Sequence, residues 1–275
     1  MKFKLAAFAD EADSRLAGQI SAMKENGVDY LEIRSIDGEN ISDIKTAKAK
    51  EIKKRLDDAG ISVWSLGSPY GKIGITEDFE PHLEKFKYGL EFANILSAKH
   101  IRIFSFYVPH NDTEHYSSEV MRRLEKMMAA AKESDVMLCH ENEKGIYGDN
   151  AERCAEIHKN IPKLRAVFDP ANFVQCGQDT KSAWEQLSPY VEYLHIKDAN
   201  ADGSVVPAGK GIGNIPYILR NYHGEILTVE PHLSVFSGFE KLECGETAEH
   251  KYRYPDSRTA FNAAVNALKE ILEEI

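Results

Sequence analysis

The sequence predicts an α/β fold, one (β/α)8 barrel over residues 1–275 with its reactive groups at the carboxyl-terminal mouth, and three observations carry that prediction. Short apolar runs of period two alternate with longer amphipathic stretches, the pattern of strands alternating with helices. Eight such runs can be counted along the chain. The length of 275 residues exceeds an ordinary domain but suits an α/β barrel, which takes about 250.

Taken in order, the strand candidates are FKLAAFA (3–9), DYLEIR (29–34), ISVWSL (61–66) and HIRIFSF (100–106). DVMLCHE (135–141), LRAVFD (164–169), VEYLHIK (191–197) and EILTVE (225–230) complete the set. Between them lie helix-like segments such as SRLAGQISAMKENG, DIKTAKAKEIKKRLDDAG, FEPHLEKFKYGLEFANILSA and SSEVMRRLEKMMAAAKES. Gly27 and Gly60 close two of these just before the next strand, where a residue able to adopt the left-handed conformation ends a helix. SRTAFNAAVNALKEILEEI, apolar at helical spacing, closes the series. An open doubly wound sheet also alternates strand and helix. No G-x-G-x-x-G stands at the first strand-to-helix turn, and the eightfold count decides for the barrel.

Asp and Glu number 44 against 34 Lys and Arg, a formal charge of -10. That balance argues against a protein whose main task is neutralising nucleic-acid phosphates. No run approaches the roughly 18 apolar residues of a membrane span, and no signal-peptide core precedes Asp10. Cys139, Cys154, Cys176 and Cys244 form no CxxC pair and read as reduced thiols of a cytoplasmic protein. No linker or low-complexity tract divides the chain.

In such a barrel the carboxyl ends of the strands supply the chemistry. The ends of strands five to eight are Glu141, Asp169, His195 and Glu230. Singly, each has an ordinary explanation, as a solvated carboxylate, a helix N-terminal acid or a packed histidine. Four potential ligands at equivalent positions of consecutive strands are harder to explain that way. Three carboxylates and one imidazole form an oxygen/nitrogen donor set suited to Mn2+, Mg2+ or Co2+, with Zn2+ as an alternative. Without a cation, the converging carboxylates would repel one another.

The segments CHENEKGIYGD (139–149), AVFDPANF (166–173), YLHIKDANADGSVVPAGKGIG (193–213) and ILTVEPHL (226–233) carry a resemblance. The sequence resembles the xylose isomerase-like TIM-barrel superfamily, in the sugar phosphate isomerase/epimerase branch that holds D-tagatose 3-epimerase and inosose dehydratase. The resemblance implies that Glu141, Asp169, His195 and Glu230 bind one divalent ion, Mn2+ foremost, and that Glu141 and Glu230 act as acid and base. It implies an isomerase or epimerase for a small-molecule sugar, assembling as a homodimer or homotetramer. Elimination by a dehydratase, or by a lyase on a 3-keto-sugar or its glycoside, starts from the same enediolate and stays open. So does a metal-dependent sugar-binding protein without catalysis. Several relatives have a second His three residues after the metal-binding Asp, where this chain has Asn172. Asn is a poorer ligand and a better partner for sugar hydroxyls, which favours one metal over the multinuclear zinc centre of endonuclease IV.

Further candidates for substrate contact are Lys197, on the face of His195, Arg34 at the end of strand two, and His232. The alternatives are, for Lys197, a pair with Asp198 or Glu230, and for Arg34 a rim salt bridge. Trp64 fits a core position better than a sugar-stacking one. His140 is expected to face the helices, and Cys139 to lie as an inert thiol below Glu141. GSVVPAGKGIG lacks the Ser or Thr of a phosphate-binding loop and reads as a pocket wall. Residues 231–256, with Phe236, Phe239, Tyr252 and Tyr254, read as a lid or a partner-contacting surface.

Overall fold

The eight predicted strands close into one parallel barrel in a computed structural model that describes residues 3–233 and 252–275. In chain order they are β1 (Lys4–Ala7), β2 (Tyr30–Ile33), β3 (Ser62–Gly67), β4 (His100–Ile103), β5 (Met137–Glu141), β6 (Arg165–Phe168), β7 (Val191–Ile196) and β8 (Ile226–Val229). Each pairs with its neighbours in sequence, and β8 closes on β1 through Lys4 to Ile226 and Ala7 to Val229. Closure removes the exposed edges that an open sheet would leave.

Alternation along each strand builds two cores. Leu31 and Ile33 of β2, Ile101 and Ile103 of β4 and Leu138 of β5 join helix residues such as Leu16, Ile52, Phe86, Leu124 and Ile157 in the outer core. A smaller inner cluster holds Ala6, Cys139, Val167, Tyr193 and Ile226. The register slips twice. Leu31 faces Val63 but Glu32 faces Ser65, so Trp64 is an extra residue on β3. Ala166 faces Val191 but Val167 faces Tyr193, which makes Glu192 the extra residue on β7.

The surrounding helices are α1 (Leu16–Glu25), α2 (Thr46–Asp58), α3 (Glu80–Leu96), α4 (Ser117–Ala131), α5 (Ala151–Asn160), α6 (Pro170–Gln175), α7 (Thr180–Leu187), α8 (Ile215–Asn221) and α9 (Ser257–Glu274). Beyond α1 and α2 the chain turns at Gly27 (φ 60°) and Gly60 (φ 68°), conformations that favour glycine. The terminal helix α9 packs on α1 and β8. No helix among the described residues is long and apolar enough to cross a membrane. Two short antiparallel ribbons, Ser35–Ile36 with Glu39–Asn40 and Asp198–Ala199 with Val205–Val206, decorate the loops after β2 and β7. Most of the stretch expected to be a lid or an interface, residues 234–251 with Phe236 and Phe239, lies outside the described residues, as does Cys244.

A candidate metal centre at the barrel mouth

Each of the four strand-end residues is placed by its own local device. Glu141 is the last residue of β5 and His195 the last but one of β7. Glu230 follows β8 directly. Asp169 is not in its strand at all: it is the N-cap of α6, with Pro170 in the first turn and its side chain accepting from the Asn172 backbone N–H at 2.9 Å. Asn142 fixes the same residue from behind, donating to the Asp169 carbonyl and accepting from its N–H, both at 2.9 Å. All four side chains are buried, and each offers a ligand atom within 4.8 Å of the others.

His195 Nδ1 lies 2.8 Å from Glu141 Oε1 and 3.2 Å from Glu230 Oε2. Arg102 Nη1 donates to Glu141 Oε2 at 2.6 Å. Lys197 Nζ stands 2.9 Å from Asp169 Oδ2 and 3.3 Å from Glu230 Oε2. Burial alone would raise the Glu141 carboxyl, but His195 and Arg102 outweigh it and hold the pKa at about 2. Burial likewise opposes ionisation of Glu230, and Lys197 and His232 keep it well below the usual carboxylate range. At Asp169 burial dominates, pushing the carboxyl up to about 7 against the pull of Lys197. Burial disfavours charge on His195, yet Glu141 and Glu32 leave its pKa well above that of free histidine.

The donor set fits a divalent cation. Three buried carboxylates and an imidazole converge without a thiolate, and the positive side chain that meets Asp169 Oδ2 is Lys197 at 2.9 Å, so the buried acids already draw positive charge to this point. Hard or borderline ions such as Mn2+, Mg2+, Co2+ and Zn2+ take such ligands.

Residues 20–231 match the family model for the xylose isomerase-like TIM barrel. The chain belongs to that family. A 3-dehydroshikimate dehydratase of Bacillus anthracis is 20% identical over 180 residues, covering 64% of this chain and 64% of the enzyme, so the chain spans just under two thirds of that relative's length. Among solved structures, the IolI protein with a bound zinc atom superposes with a TM-score of 0.75 at 16% identity over 99% of each chain. D-psicose 3-epimerase of Clostridium cellulolyticum H10, solved with D-tagatose, gives 0.72 at 14% identity, covering 98% of this chain and 99% of its own. At these identities the structural likeness concerns the fold.

Within this xylose isomerase-like barrel, a small cavity beside the four ligands is lined by Lys72, Arg102, Glu143, Asn172, Lys197 and His232 among others. Three of the sequence candidates for substrate contact, Asn172, Lys197 and His232, therefore stand at the site. Asn172 also donates to the Asn142 carbonyl at 2.9 Å. His232 adopts a left-handed backbone (φ 44°), and its N–H donates to Glu11 at 2.6 Å. Arg34 is buried in an ion cluster: it binds Asp10 at 2.9 Å and Glu11 at 3.1 Å, packs over Phe8, and lies 3.6 Å from Glu230. Of the alternatives for Lys197, the pair with Glu230 is present, while Asp198 instead accepts backbone N–H groups of Gly209, Gly211 and Gly213 at 2.8–3.0 Å. His140 faces α5, 2.9 Å from Ser105 Oγ, and Cys139 lies in the inner core. Trp64 stacks on His100 beside a larger hollow of about 890 Å3, far from this chemistry at the amino-terminal end of the strands.

Sequence reading missed Glu32, Arg102, Glu11 and Asn142. The signal was present for two of them: Glu32 and Arg102 are charges inside otherwise apolar strands, which soluble barrels bury only with partners.

Proposed function

We propose that the chain is a divalent-metal-dependent sugar isomerase or epimerase, working by proton transfer at the carbon beside a substrate carbonyl through an enediolate. The observation that carries this reading is the convergence of Glu141 and Glu230 with Asp169 and His195, four buried ligand atoms within 4.8 Å beside a polar cavity. These four residues would hold the ion, which when bound supplies Lewis-acid polarisation of the carbonyl and stabilises the charge that develops on its oxygen. Glu141 and Glu230 are the base and acid. Neighbouring cations hold both carboxyls ionised at rest, so either can accept the carbon-bound proton, and the one that serves as acid in epimerisation first takes up a proton from water. Return of a proton to the adjacent carbon isomerises the sugar; delivery by the opposite carboxyl to the other face of the same carbon epimerises it. Asn172, Lys197 and His232 offer hydrogen bonds to the substrate oxygens from the cavity wall.

A second reading is supported by the sequence match to the dehydratase. In it the same enediolate expels a leaving group, making the chain a dehydratase or lyase for an inosose or 3-keto-sugar. Proton abstraction is common to both readings, so product analysis separates them.

The test is metal content of the purified protein, followed by a D2O-exchange screen in saturating Mn2+ against ketoses, inososes and 3-keto-sugars. Deuterium should enter the carbon beside the carbonyl, and Glu141→Gln and Glu230→Gln should each slow its entry by at least about 100-fold. If neither substitution slows exchange, the assignment of base and acid is wrong. Sugar binding with no exchange across the screen would identify a binding protein instead.

A further inference from the structure

We propose that Glu32 is a positioning residue that holds the His195 ring with its proton on Nε2, so that Nδ1 is the nitrogen presented to the divalent cation. The inference rests on the metal-dependent reading above and concerns a residue outside the ligand set. Glu32 is fully buried inside the barrel, and its Oε2 lies 3.1 Å from His195 Nε2. On the other side of the ring, Nδ1 faces Glu141 and Glu230, two of the four converging ligands. Glu32 itself is not among the residues whose ligand atoms cluster there. A carboxylate accepts hydrogen bonds, so Nε2 donates to Glu32; Nδ1 donates to Glu141 and Glu230 in the metal-free protein, and its proton is the one that a divalent ion held among the four ligands would displace.

Glu32 is itself held. Its Oε1 accepts from the Tyr193 hydroxyl at 2.8 Å, and Tyr193 lies 3.2 Å from Ser65 Oγ. This row from Ser65 through Tyr193 and Glu32 to His195 depends on the two register slips. A shift of one residue turns a strand's side chains to the opposite face. The extra residue Trp64 brings Ser65 opposite Glu32, and the extra residue Glu192 brings Tyr193 opposite Val167 of the inner core. Irregularities of this kind re-aim side chains near functional sites. Phe8 meets the His195 ring edge-on at 5.2 Å and limits its rotation.

The test uses the full chain. Long-range 1H–15N correlation on 15N-histidine protein loaded with Zn2+ should show His195 protonated on Nε2 and metallated on Nδ1. Calorimetric titration with MnCl2 should show Glu32→Leu binding about 10- to 100-fold more weakly than wild type. Glu32→Gln, whose carbonyl oxygen still accepts from Nε2, should recover most of that loss and keep the tautomer. Metallation of Nε2 in the wild type, or wild-type affinity in a folded Glu32→Leu protein, overturns the proposal while leaving the metal-dependent reading intact. A wild type that binds none of Mn2+, Mg2+, Co2+ and Zn2+ overturns both. Should Glu32→Leu fail to fold, the wild-type tautomer and the affinity of Glu32→Gln still decide: a Gln variant as weak as about 100-fold below wild type, with the tautomer lost, also overturns it.

Discussion

Arg34 illustrates how a single buried charge is held. Its Nε and Nη2 donate to the two carboxylate oxygens of Asp10 and Nη2 also donates to Glu11, and all three side chains are almost wholly out of water. Such a group is costly to bury and more costly to leave half-paired, because removing one partner strands the other charge in a medium that cannot solvate it. Arg34→Met should therefore destabilise the protein by about 3–5 kcal/mol in urea unfolding. A loss below about 1 kcal/mol, the range of an exposed pair, would mean that the acids relax to water when the cation is removed. Strand periodicity puts Arg34 on the same face as Glu32 two residues earlier, but it says nothing about Asp10 and Glu11, which belong to the turn after β1. That is why the sequence leaves a substrate contact and a salt bridge both open, and only the closed barrel brings the acids to it.

The elements carry most of what was legible. All eight predicted strands exist, because period-two alternation and flanking helix signals report the burial that each strand needs. Their ends shift: Asp169 serves α6 as its cap, and Glu230 and Lys197 follow their strands. The two register slips and the ribbons were not legible, since pairing depends on a partner strand 30 or so residues away and leaves no local mark. Strand β5 and helix α5 make a prediction of their own. His140 and His158 are buried with ring centroids 5.9 Å apart, and burial lowers their pKa values to about 3 and about 4. Unfolded histidine titrates near 6.5, so between about 6.5 and these values the unfolded chain binds more protons than the native one. Their contribution to stability is complete above about pH 6.5 and is lost as pH falls toward 4 and below. His140→Gln, which can keep a hydrogen bond to Ser105, should flatten the fall in Tm between pH 7 and pH 5. An unchanged slope would locate the acid sensitivity elsewhere.

At the scale of the molecule, the charge of -10 is unevenly distributed. Asp10, Glu11, Glu32, Glu141, Asp169 and Glu230 are all buried toward the mouth, against Arg34, Arg102, Lys197 and the histidines His195 and His232. Lys197 reaches both Asp169 and Glu230, so the folded chain already places a positive charge among the converging acids. A cation that binds this arrangement has no equivalent site in the unfolded chain, where the four ligands are spread over 90 positions of sequence from 141 to 230. Binding must then stabilise the fold by mass action, about 2.7 kcal/mol at a hundredfold excess over Kd. For a chain of this size that corresponds to a rise in Tm of roughly 5–10 °C. MnCl2 added to protein stripped with EDTA should produce the shift, and EDTA should reverse it. Asp169→Asn removes one ligand charge but keeps an oxygen to accept the Asn172 N–H, so the cap survives and the variant should fold. Its Tm should respond to MnCl2 by less than half the wild-type shift. An equal response in the variant would place the ion away from Asp169, and the convergence of strands five to eight would need a different explanation.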